Sequence, residues 1–87
     1  MTFHFPPTTF SQTLTLSEQD RQIESEFNEM ITARDMESIN REAEETMDLY
    51  HACETKLRIF ERVFGASWVH DLFTRCRQKN GERGYYL

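Results

Sequence analysis

Three histidines and two cysteines are the residues of this 87-residue chain best equipped to hold a metal or attack a substrate. Their spacing does not favour either task. His51 and Cys53 stand two positions apart, so a helix turns them to different sides. His70 and Cys76 stand six apart, nearly on opposite faces, and His4 has no neighbour of its kind. No C-x-x-C, H-x-x-x-H or H-E-x-x-H pattern can be written, which argues against a zinc site. His70-Asp71 reads as a solvated pair near a helix start rather than a catalytic dyad. With three glycines there is no phosphate-cradling loop. The carboxylates lie on polar helix faces, where nothing is expected to raise a pKa for proton transfer. The expectation is a non-enzymatic protein with no cofactor and no small-molecule substrate.

The charged residues are more informative than the nucleophiles. Residues 17–54 carry a net −9 and residues 55–87 a net +4, giving −5 for the chain. On the central helix Glu37, Glu44, Glu45 and Asp48 fall opposite the apolar stripe. Glu26 and Glu29 extend the acidic surface onto the helix before it. The plain reading is a solubilising face. The sharper reading is a negative surface that engages a basic protein, in the groove where that protein holds nucleic acid. Carboxylates on successive turns lie about 6 Å apart, close to the phosphate spacing of a strand. A second contact is expected from Phe3, Phe5 and Phe10.

These side chains need elements to position them. Residues 1–16 contain no acid or base, three Phe, two Pro and five Thr. Alternation in Thr2–Phe5 and Phe10–Leu16, with Pro6-Pro7 between, predicts an extended arm lying over apolar surface or forming an edge strand. A helix is expected from Ser17, capped by Ser17 and Asp20, with Ile23, Phe27, Met30 and Ile31 on one face. Its pattern lapses near residues 32–35, and Asp35 or Ser38 can cap a restart unless one bent helix runs through.

The central helix carries the clearest pattern. Ile39, Ala43, Thr46, Tyr50, Cys53, Leu57, Phe60 and Phe64 are spaced 4-3-4-3-4-3-4, an unbroken heptad register. Gly65 should end it in a left-handed cap. Ser67 should cap a last helix with Trp68, Val69, Leu72, Phe73 and Cys76 on its apolar face, stopped by Asn80-Gly81. A flexible aromatic tail, residues 81–87, follows. Both cysteines fall on apolar positions and are expected to be buried free thiols.

The fold class expected is all-α: a small helical bundle in residues 17–80 with one long central helix, an extended N-terminal arm and a short aromatic tail. A helix over residues 36–64 would be about 42 Å long. A compact chain of this size spans roughly 30 Å. The apolar stripe therefore exceeds what its own chain can cover. A homodimer through Ile39, Ala43, Tyr50, Cys53, Leu57, Phe60 and Phe64 is the expected remedy. The competing function is a helix-turn-helix DNA-binding regulator using Arg75, Arg77, Lys79 and Arg83. Against it, the N-terminal end of the would-be reading helix, Trp68 to Asp71, lacks basic residues. No apolar run is long enough to span a membrane. No secretory signal pattern opens the chain, so a cytoplasmic location is the default. The favoured reading is a small inhibitor or adaptor acting on another protein, of the size common among phage accessory proteins.

Overall fold

A computed structural model describes residues 3–87. Met1 and Thr2, where the expected arm begins, lie outside the described residues. The rest forms four helices: α1 Thr9–Thr13, α2 Leu16–Asp35, α3 Ile39–Phe64 and α4 Ala66–Glu82. Among the described residues there is no strand. The all-α class with a long central helix is therefore observed.

Local chemistry explains each boundary. The arm is not extended throughout: Thr8 accepts a hydrogen bond from the Ser11 N–H and starts the single helical turn α1. The cap of α2 sits two residues earlier than expected. Thr15 and Glu18, rather than Ser17 and Asp20, form the full reciprocal box. The longer Glu side chain reaches back to the Thr15 N–H, and that N–H and the Thr15 hydroxyl hold the Glu18 carboxyl below its usual pKa. Ser38 does precede α3, although its side chain makes no capping bond.

Two helices end in the same motif with different residues. After α4, Gly84 takes φ +76°, with the Tyr85 N–H on the Asn80 carbonyl and the Gly84 N–H on the Gly81 carbonyl. After α2, Glu37 takes φ +57°, with the Ser38 N–H on Ala33 and the Glu37 N–H on Arg34. Both are Schellman turns, and only the first has the residue that suits the left-handed position. α4 thus runs past the expected Asn80-Gly81 stop. Gly65 differs from both. Its φ +100°, ψ 159° is not the expected left-handed cap but a conformation essentially restricted to glycine. It alone joins α3 to α4, and Ser67 lies inside α4 rather than capping it.

α2 and α3 pack as an antiparallel hairpin, shown by Gln19 against Ala52 at one end and Glu29 near Glu45 at the other. The interior is thin and half polar. Ala33, Ala52, Ile59 and Val69 are buried, and so are Ser11, Gln19, Glu54 and Thr55. The radius of gyration is 14.8 Å, against about 12 Å for a compact chain of this length. Both cysteines are free and exposed, not buried as their apolar registers implied. No helix is long and apolar enough among the described residues to cross a membrane.

Candidate functional site

The face that α3 turns toward α2 is not its apolar stripe. Arg41, Glu45, Asp48, Ala52, Thr55 and Ile59 are also spaced 4-3-4-3-4, two residues out of step with the apolar series. At 100° per residue that offset is about 200°, so the two stripes lie on opposite sides of the helix. α2 occupies the polar one. It matches it with Gln19, whose Nε2 donates to the Ala52 carbonyl at 2.9 Å, and with Asp20, which pairs with Lys56. Ala33 and Ala52 are small enough to let the backbones approach.

The consequence is an apolar face turned outward. Ile39 is 76% exposed, Met47 56% and Tyr50 45%. With Ala43, and with Phe5 and His4 of the arm as one wall, they line a groove of about 700 Å³. Ala43, Cys53 and Phe64 of the expected seam are also exposed, and only Leu57 and Phe60 are half-buried. The C-terminal half of the stripe is engaged by α4 instead. Trp68 stacks on Phe64 at 4.6 Å and on Phe60 at 5.5 Å.

The arm is fastened along the flank of α3 by charged side chains. Buried Glu54 accepts from the Phe5 N–H at 2.8 Å, and Arg58 donates to the Phe5 carbonyl at 2.9 Å. Arg62 donates to the carbonyls of Ser11 and Leu14. Arg58 also lies over the Phe3 ring at 4.0 Å, His4 Nδ1 meets the Tyr50 hydroxyl at 2.6 Å, and Phe5 stacks on His51. Phe3 and Phe5 therefore lie on the surface of α3, but against Arg58, Tyr50 and His51 rather than on the purely apolar surface expected. Phe10 does not; it projects from α1 at 55% exposure.

The acidic residues do not form one outward face. Glu37, Glu44 and Asp48 are exposed. Glu45 is turned toward α2 with 13% of its side chain exposed, and it meets Glu26 and Glu29, the three offering oxygens within 4.8 Å of one another. Desolvation, then hydrogen bonding and charge from Glu29, then the charge of Asp48, push the Glu45 pKa up; Arg41 at 3.5 Å offsets this in part. The expectation that nothing would raise a carboxyl pKa fails here, because this part of the polar face is turned toward α2. Arg75, Arg77, Lys79 and Arg83 are exposed at the end of α4.

Sequence reasoning missed the polar cleft between α1, α2 and α3, of about 280 Å³, which Gln19, Glu26, Asp48 and His51 help to line. The signal for it was the matching register of Gln19, Ile23, Glu26, Met30 and Ala33 on α2, a mixed stripe with the same 4-3-4-3 spacing. Comparison with protein-family models, curated proteins and solved structures gave no match.

Proposed function

We propose that this chain is a non-enzymatic binding protein, an inhibitor or adaptor, that takes a basic amphipathic helix of another protein along the outer face of α3. The observation that carries this reading is the inversion of α3. Ile39, Met47 and Tyr50 face out while Gln19 and Thr55 are buried. Burial of such a face is favourable at about 25 cal/mol per Å². Contiguous exposed apolar surface rimmed by polar residues commonly marks an interaction site.

Charge favours a basic partner over a second copy. Residues 37–48 hold Glu37, Glu42, Glu44, Glu45 and Asp48 against Arg41 alone. Two-fold pairing through Ile39–Tyr50 would set two such segments side by side. A helix bearing Arg or Lys beside its apolar stripe gains attraction where a second copy meets repulsion.

The test uses an amphipathic leucine–arginine peptide and its leucine–glutamate counterpart, followed by fluorescence anisotropy and sedimentation. The wild type should sediment as a monomer and bind only the basic peptide. Met47→Glu should abolish that binding. Phe27→Glu, which alters a different exposed apolar residue, should leave it intact. A wild-type dimer broken by Met47→Glu would assign the face to a second copy instead. Equal binding by both variants would sink the groove as the contact. Binding of duplex DNA lost on changing Arg75 and Arg77 to Ala would favour the helix-turn-helix reading.

A further inference from the structure

The polar cleft between α1, α2 and α3 holds more unmet hydrogen-bonding capacity than any other place in the described residues. Gln19 is 1% exposed, and its Nε2 is committed to the Ala52 carbonyl at 2.9 Å. That bond fixes which end of the amide is which and leaves Oε1, buried and without a partner, as an acceptor. Glu26 accepts from Gln22 through Oε1 at 2.8 Å, while its Oε2 is buried and unpartnered. His51 Nε2 is likewise buried and unpartnered. Asp48 adds a second carboxylate, and no Lys or Arg lines the cleft.

We propose that this cleft binds a guanidinium group, the head of an arginine side chain. The site has two carboxylates and a buried amide oxygen, and so calls for a cation with several donors. A single metal ion fits poorly. Glu26 shares ion-sized reach with Glu29 and Glu45, and that group includes neither Asp48 nor His51. An ammonium is a point charge, whereas guanidinium is a planar fork of five N–H donors that can serve acceptors spread over two helices. It also stacks on aromatic rings, and Phe10 supplies one beside the acceptors. The cleft is lined by α1, whereas the α3 groove is walled by Phe5 and His4, so this inference does not depend on the groove having an occupant.

The experiment titrates the full chain with N-acetyl-arginine amide, ethylguanidinium and N-acetyl-lysine amide, following the Gln19 side-chain amide and the His51 ring by NMR. Both guanidinium probes should give saturable shifts at Gln19 and His51, with the lysine probe weaker. Tighter binding of the arginine amide than of ethylguanidinium would assign the group to a polypeptide; equal binding would assign it to a small guanidinium compound. Asp48→Asn, at an exposed position, should weaken binding about tenfold, the loss expected for one charge-assisted bond. Glu26→Gln should do the same, and Met47→Glu should change nothing. Absence of saturable shifts, equal binding by the lysine probe, or an unchanged Asp48→Asn affinity would each overturn the proposal.

Discussion

The two faces of α3 carry the same spacing and opposite chemistry, and the chain buries the one that looks soluble. Toward α2 it presents Glu45, Ala52, Thr55 and Ile59; away from α2 it presents Ile39, Ala43, Met47 and Tyr50. Size and complementarity decide which face turns in. Ala52 of the inner stripe offers its carbonyl to Gln19, and Lys56 beside the stripe pairs with Asp20. A polar contact of this kind positions two helices, but it leaves much of the apolar area unused. The contacts that hold the hairpin and the groove proposed to dock a helix thus lie on opposite sides of α3.

Truncation on each side separates them most sharply. Ile59 is 0% exposed, and Ile59→Ala should cost about 2–4 kcal/mol in urea unfolding. Ile39→Ala, at 76% exposure, should change stability by no more than about 0.5 kcal/mol. Equal losses would mean that the outer face is also structural, and the division would fail.

A smaller effect concerns the turn that sets the two helices side by side. Glu37 occupies the left-handed position that Gly84 fills in the equivalent turn after α4. Glu37→Gly should remove the strain of a β-carbon at positive φ and stabilise the fold by up to about 1 kcal/mol, reduced by the added freedom of the unfolded chain. A destabilised Glu37→Gly protein would show that the Glu37 side chain earns its place through contacts.

The smallest effect is a change of pH slope. Glu45 has its pKa raised in the folded state above the usual value of 4.5, so the folded chain holds that proton more tightly than the unfolded one. Stability from this group is greatest at acid pH and falls as pH rises from about 4.5 through the raised value. Glu45→Gln should therefore be more stable than wild type at neutral pH, with the advantage shrinking on acidification. Glu18 has the opposite sign. Its lowered pKa adds stability above its unfolded value, lost as pH falls through the folded one. Parallel unfolding curves for Glu45→Gln and wild type at neutral and acid pH would contradict the interior placement of Glu45.

Much of this architecture is legible in the residues. The span of α3, its end at Gly65, the restart after Ser38 and the excess apolar surface all follow from periodicity and the residue types at its ends, although neither Ser38 nor Gly65 forms the cap expected of it. The orientation of α3 does not, because both stripes repeat with the same heptad step and periodicity cannot choose between them. The choice depended on Gln19 finding Ala52 across 33 positions of chain, which no local pattern encodes. α1 was hidden for a different reason: Pro6-Pro7 and alternating Phe and Thr imitate a strand, and one Thr8 cap over a single turn is enough to override them. The carboxylates were recognised, but Glu45 was placed in water because the face it belongs to was.

The manner in which α3 grips the N-terminal segment has a consequence for protein engineering. Glu54, Arg58 and Arg62 take hold of main-chain groups of Phe5, Ser11 and Leu14, which every amino acid but proline offers in full. Such a clasp recognises the path of a peptide more than its letters. A foreign epitope written into the stretch between Pro7 and Leu14 would be displayed in a defined shape, provided it keeps the buried Ser11 and makes the one turn that Thr8 begins.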